Sequence, residues 1–121
     1  MESKKRKYKR NIVVYKEYFK TFRRTLPKKT LAKMYQVFIY IMTLEVVPEK
    51  FLKPISDGLY EIRVESDGNI YRIFCCLDEG NLVILFNGFQ KKTQKTPKSE
   101  IKKAEKIMKE YFEDKKKQYE Q

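Results

Sequence analysis

Asp67-Gly68 stands between two runs rich in alternating apolar and polar residues, Leu59–Glu65 and Asn69–Asp78. A tight hairpin loop wants positive φ at both central positions, which Asp and Gly accept at little cost, so this dipeptide predicts a β-hairpin and sets its register. That register aligns Tyr60 with Cys75, Ile62 with Ile73 and Val64 with Tyr71. All three pairs are largely apolar, and a slip of one residue would mix the two faces, so the pattern supports the alignment. The same register places Arg63 directly opposite Arg72, and like charges opposed across a sheet are destabilising. Two readings follow. Glu61 and Glu65 share that face and can neutralise the pair in a solvated ion network. Alternatively, the two guanidiniums stand on an open face and await an anion. Forked donors on adjacent strands match the geometry of a phosphate.

Around this hairpin the chain predicts a single domain. Its 121 residues and 41% apolar content supply one core, and no stretch approaches the ~20 apolar residues of a membrane span. Ile12–Tyr15 reads as a short edge strand and Glu17–Thr25 as a short helix ended at Leu26-Pro27. Leu31, Met34, Tyr35, Phe38, Ile41 and Met42 recur at helical steps, predicting an amphipathic helix from Lys28 to Thr43. Pro48 and Pro54 bracket a connector. After the hairpin, Glu79-Gly80-Asn81 turns into Leu82–Asn87, apolar almost throughout and therefore central in a sheet. Its helix-covered face is predicted as Leu82, Ile84 and Phe86, with Val83, Leu85 and Asn87 on the open face beside Cys76, Phe74 and Arg72. Gly88 lets the chain bend out. Thr96 reads as N-cap and Pro97 as the first residue of a last helix. That helix buries Ile101, Ala104, Met108 and Tyr111, with Ile107 and Phe112 beside them. The expected order is β-α-α-β-β-β-α, an α+β fold with helices on one face of an antiparallel sheet.

Charge and missing residue types narrow the chemistry. The chain carries 28 Lys and Arg against 16 Asp and Glu, a net charge of +12. Such a field favours polyanions, either nucleic acid or an acidic protein. Nearly all the excess lies in residues 1–10, read as a basic flexible arm ahead of a domain at 11–121, and in residues 91–109. Histidine is absent, which removes Ser-His-Asp and Cys-His nucleophile systems, His-based ribonuclease chemistry and His-ligated zinc. Cys75 and Cys76 are neighbours in a strand, point to opposite faces and read as small core residues of a reducing compartment. The apolar run after the basic N-terminus is too short for a signal peptide, so a cytoplasmic location is expected; the basic run would also pass for a weak nuclear address. Lys91 and Lys92 follow the last strand near the Arg72 end of the open face. Cations beside Phe74 and Leu85 suit single-stranded nucleic acid, where phosphates meet charge and bases stack on side chains.

The segment Gly58-Leu59-Tyr60-Glu61-Ile62-Arg63-Val64 resembles a characteristic strand of toxins in the RelE/HigB superfamily, in its phage-related branch. Tyr71-Arg72-Ile73-Phe74 is similar to the strand that follows, and Val83–Thr93 with Gln94–Ala104 is similar to the family's last strand and the start of its final helix. The likeness spans roughly residues 11–112. It implies the toxin of a type II toxin–antitoxin system, an endoribonuclease that cleaves mRNA at the ribosome. It also implies a cognate helix-turn-helix antitoxin as partner and neither metal nor organic cofactor. Carried over by motif, Arg63, Arg72, Lys91 and Lys92 stand where the family places its basic active-site groups.

In metal-free RNA cleavage the 2′-oxygen attacks phosphorus and the 5′-oxygen leaves, so cations aimed at that charge supply the main catalytic effect. Arg63 and Arg72 are expected to clamp the scissile phosphate. Lys91 or Lys92, with a pKa lowered by neighbouring arginines, would serve the leaving oxygen. Glu61 is the available carboxylate for the 2′ proton, or else the group that balances the arginines. On this reading Arg72→Ala abolishes growth inhibition and leaves the fold intact. A non-catalytic RNA- or ribosome-binding module of the same fold is the alternative; docking of the last basic helix on an acidic protein is a more distant one.

Overall fold

The computed structural model describes residues 8–91 and 95–119. Among them the chain forms β1 (Asn11–Val14), α1 (Tyr18–Arg23), α2 (Lys28–Thr43), β2 (Leu52–Ser56), β3 (Leu59–Ser66), β4 (Asn69–Asp78), β5 (Leu82–Lys91) and α3 (Lys98–Tyr119). The strands make one sheet in the order β1-β5-β4-β3-β2. The fold is α+β, and the sheet departs from the expected layout. The sheet is mixed, because β1 runs parallel to β5, and β2, antiparallel to β3, begins inside the connector bracketed by the prolines and runs through Pro54 to Ser56. Pro54 is tolerated there because β2 is an edge strand, where a missing N–H need not cost a ladder bond.

The β3–β4 hairpin has the predicted register, with Tyr60 opposite Cys75, Ile62 opposite Ile73, Val64 opposite Tyr71 and Arg63 opposite Arg72. Asp67 and Gly68 both take positive φ, 52° and 77°. The predicted faces of β5 are exchanged. The turn at Glu79–Asn81, with Gly80 and Asn81 at positive φ, aligns Cys76 with Ile84 and Cys75 with Leu85. Val83 and Leu85 therefore share a face with Ile73 and Cys75, while Ile84 and Phe86 share one with Phe74 and Cys76. A register shift between Ile73 and Cys75 then brings Gly88 opposite Ile73 and Phe89 opposite Arg72, and β5 continues to Lys91. Gly88 does not release the chain from the sheet. It admits Phe22 of α1: a Cβ built at this position would lie 2.5 Å from the Phe22 ring.

Helices cover both faces, not one. On one face, Phe19 of α1 and Met34, Val37, Phe38 and Ile41 of α2 pack on Ile62, Val64, Tyr71, Ile73, Cys75, Val83 and Leu85. On the other, Ala104 and Ile107 of α3 pack on Leu59, Phe74, Cys76, Ile84 and Phe86. A central strand that is apolar on both faces requires this arrangement, since burial of each face is what stabilises it. Phe74 and Leu85, expected on open surface, are core residues. Phe112, expected beside the buried stripe of α3, is 40% exposed. The cysteines are free, buried and on opposite faces; burial pushes the Cys76 thiol up to about 12, which suits packing residues rather than nucleophiles.

Polar contacts fix the helix ends. Residues 1–7 of the expected arm lie outside the described residues. Lys9 and Arg10, also assigned to that arm, are docked. Their amides donate to the Met42 carbonyl, and the Arg10 guanidinium donates to the carbonyls of Ile41, Leu44 and Glu45 at 2.9–3.0 Å. A cation at the α2 C-terminus satisfies carbonyls that the helix leaves open and complements its dipole. Along α3, Tyr111 and Lys115 donate to Asp78 at 2.6 and 2.8 Å. Lys16 and Tyr18 donate to Glu110 at 2.7 and 2.8 Å, and Tyr15 donates to Asp114. No helix among the described residues is long and apolar enough to cross a membrane.

Candidate functional site

Alternation along β3 and β4 sends Glu61, Arg63, Arg72 and Phe74 to the α3 face of the sheet. The hairpin register makes Arg63 and Arg72 neighbours, and Glu61 stands diagonal to Arg72. The three side chains meet. Arg72 Nε donates to Glu61 Oε2 at 3.0 Å, and Arg63 Nε lies 3.3 Å from the same oxygen. The other oxygen, Oε1, accepts the Thr96 hydroxyl at 2.6 Å. One carboxylate thus lies between two guanidiniums, which answers the like-charge opposition posed by the sequence: of the two readings, the ion network is the one formed.

The network is not solvated, however. Arg72 is 0% exposed and Glu61 1%, while the Arg63 side chain retains 20% of its surface. The expectation of two unshielded guanidiniums on an open sheet face is corrected on this point. Arg72 lies between Arg63 on β3 and Phe89 on β5, and Phe89 stacks on Phe74 with ring centroids 5.6 Å apart. A helix and an aromatic pair on this face leave Arg63 as the guanidinium of the pair that reaches solvent. The expectation that Arg72→Ala spares the fold falls with it, because removing one partner of a buried ion pair strands the other in a dry site.

Thr96 was not singled out from sequence as a site residue. Read as an N-cap, it lies one residue too early: the Pro97 carbonyl accepts the first helical bonds, from Glu100 and Ile101, and the Thr96 hydroxyl turns to Glu61 instead. The signal available was the Thr-Pro dipeptide, which places a hydroxyl just before a helix without saying which acceptor it finds. Lys91 ends β5 opposite Ile70, so its backbone is on the strand leading out of the cluster. Lys92 lies outside the described residues. Among the described residues, no group of three or more Cys, Asp or Glu side chains is placed to hold a metal ion.

Beside Arg63 the sheet edge opens into a cleft of about 580 Å³, walled by α2 and by Lys50 and Phe51 ahead of β2. Sequence reasoning missed this cleft. Its α2 wall, Lys33, Gln36, Val37 and Tyr40, follows the i, i+3, i+4, i+7 spacing of one helical stripe. That stripe was legible, but its facing partner was hidden in the proline-flanked segment.

The molecule is a small, strongly basic α+β domain of the toxin-like RelE type, with an arginine–carboxylate cluster on the sheet face where its last helix begins. Residues 21–109 match the family model described as Phage derived protein Gp49-like (DUF891). The chain belongs to this family, which lies within the RelE/HigB-like toxin superfamily. It matches none of the curated proteins.

Proposed function

We propose that the chain is the toxin of a type II toxin–antitoxin pair, of the HigB-like branch, and a metal-independent endoribonuclease that cuts mRNA on the ribosome in the cytoplasm. The observation that carries this reading is the Glu61–Arg63–Arg72–Thr96 cluster, assembled at the one-fifth-exposed Arg63 in a superfamily of toxins. Arg63 grips the scissile phosphate. Arg72, behind it, is a positioning residue that orients Glu61 and through it Arg63. Lys91, the last residue of β5, or Lys92 after it in the chain stabilises the 5′-oxygen as it leaves and gives it a proton. The 2′-oxygen bonds to phosphorus, the bond to the 5′-oxygen breaks, and the 2′ proton passes to Glu61 Oε1, whose Thr96 hydroxyl partner is exchangeable; Oε2 stays committed to the guanidiniums. Fixed cations aimed at developing charge are the main source of rate in this scheme.

A second reading has its own support. Glu61 is 1% exposed and already engaged by two guanidiniums and a hydroxyl, which favours a non-catalytic RNA- or ribosome-binding module. Induction of the gene, with and without a neighbouring helix-turn-helix reading frame, separates the two. Growth arrest relieved by the neighbour, with discrete cuts inside translated codons on primer extension, is the result expected of the toxin. Ribosome association without cuts would move the assignment to the binding module.

A further inference from the structure

We propose that the cleft between α2 and β3 is a nucleobase subsite, taking one unstacked base of a single-stranded RNA whose backbone lies on Arg63; this rests on the RNA-directed function proposed above. The β2–β3 register ends at Leu52 and Ile62, with one further bond from the Arg63 amide to the Phe51 carbonyl at 2.9 Å; beyond it β3 runs on past its neighbour, beside α2. The floor is apolar, with Val37 and Val64. One wall is aromatic: Tyr40 and Phe51 lie with ring centroids 5.1 Å apart at 38°. The Phe51 ring is half-buried, and the exposed Lys50 sets its ammonium 5.1 Å from the ring centroid. Lys33 and Lys50 line the cleft with the carboxylate of Glu65, and Arg63 borders it at the sheet edge with its guanidinium on the α3 face, so a strand entering the cleft reaches that guanidinium by crossing the edge. An aromatic wall inside a cationic rim is the combination that holds a base and its phosphate together.

The walls are tied before any ligand arrives. At one end of α2, Lys29 donates to Asp67 at 3.0 Å and Thr30 to Ser66 at 3.1 Å; at the other, Arg10 holds the last carbonyls. A cleft whose walls are already fixed spends little of its binding energy on ordering. Gln36, exposed at the middle of the α2 stripe, offers both a donor and an acceptor to a base edge.

The test compares a fluorescent single-stranded RNA hexamer with an abasic hexamer of equal charge, titrated into the full chain. The wild type is expected to bind the base-bearing strand about five- to a hundredfold more tightly, the range of base-on-aromatic stacking. Gln36→Trp, which fills the cleft from an exposed helix position, and Phe51→Leu, which keeps apolar volume without the π-face, should each remove most of that preference and leave abasic binding unchanged. A full preference in a folded Gln36→Trp protein would overturn the subsite while leaving the RNA-directed function standing. Equal binding of the two strands by the wild type, or binding of neither, would likewise overturn the subsite, whereas the function proposed above is tested by its own cleavage assay.

Discussion

Replacing Arg72 with Ala leaves the Glu61 carboxylate 1% exposed and short of its 3.0 Å partner. Breaking a buried ion pair in this way costs about 3–5 kcal/mol. Arg63 at 3.3 Å and Thr96 at 2.6 Å still face the carboxylate, so the lower end applies, about 3 kcal/mol. With ~2.1 cal/mol/K of unfolding entropy per residue over 121 residues, each kcal/mol moves Tm by about 4 °C, and the expected fall is about 12 °C. Urea denaturation should show a lower midpoint with an unchanged slope. The double variant Glu61→Leu/Arg72→Met removes both charges and should regain most of the loss, since apolar replacement of a whole buried pair is often neutral. A fall below about 1 kcal/mol in Arg72→Ala, or no recovery in the double variant, would refute the buried pair as the element that organises the cluster. It follows that loss of toxicity in Arg72→Ala would not by itself identify a phosphate ligand, whereas Arg63→Ala can be read that way.

Arg63→Ala should leave Tm within about 4 °C of wild type, since a partly exposed pair contributes about 1 kcal/mol or less. It should also reduce the dependence of log affinity for single-stranded RNA on log salt by about 0.7, one phosphate contact; an unchanged salt slope would remove Arg63 from the interface. Gly88→Ala drives a methyl to 2.5 Å from the Phe22 ring and 2.9 Å from the Arg72 carbonyl, so overpacking of about 1–3 kcal/mol is expected on thermal melts, and a neutral outcome would show that α1 does not press on β5. Burial raises the pKa of Asp78, but hydrogen bonds from Lys115, Tyr111 and the Glu79 amide outweigh it and the net direction is down; Glu110 and Asp114 are lowered chiefly by Lys16 with Tyr18 and by Tyr15. Groups held below their ordinary values stabilise the fold fully above the ordinary carboxylate range and lose that contribution as pH falls through the depressed values. Amide protection factors along α3, corrected for the intrinsic rate at each pH, should therefore be flat from about pH 7 to 5 and fall below about 4, less steeply in Asp78→Asn, and equal protection factors at pH 6 and pH 3 would contradict a role for these carboxylates in holding α3.

What the sequence made legible follows from which constraints are local. The Asp67-Gly68 turn sets the β3–β4 register within two residues, so the meeting of Arg63 and Arg72 could be read directly. The α2 stripe is periodic over four turns and was also plain. The faces of β5 were not, because the Glu79–Asn81 turn changes which residues align and the register shift near Phe74 changes it again; both depend on backbone φ rather than on apolar pattern. β2 was hidden because proline argues against a strand except at an edge, and the position of an edge is a property of the whole sheet. The burial of Arg72 was illegible for the same reason. It depends on α3 crossing to the second face, and a helix stripe says that it is covered but not by which side of a sheet. Thr96 shows the limit at one residue: its hydroxyl was anticipated at the helix start, but its acceptor, Glu61, is 35 residues away.

The central claim is chemical: Arg63, backed by the buried Arg72–Glu61 pair, presents charge to a phosphate that the neighbouring 2′-hydroxyl attacks. Analysis of the RNA ends left by the purified protein on mRNA-programmed ribosomes tests it directly. The account predicts cuts bearing 2′,3′-cyclic phosphate and 5′-hydroxyl ends, lost in Arg63→Ala. Ends bearing 5′-phosphate, or cuts that persist at full rate in Arg63→Ala, would contradict it.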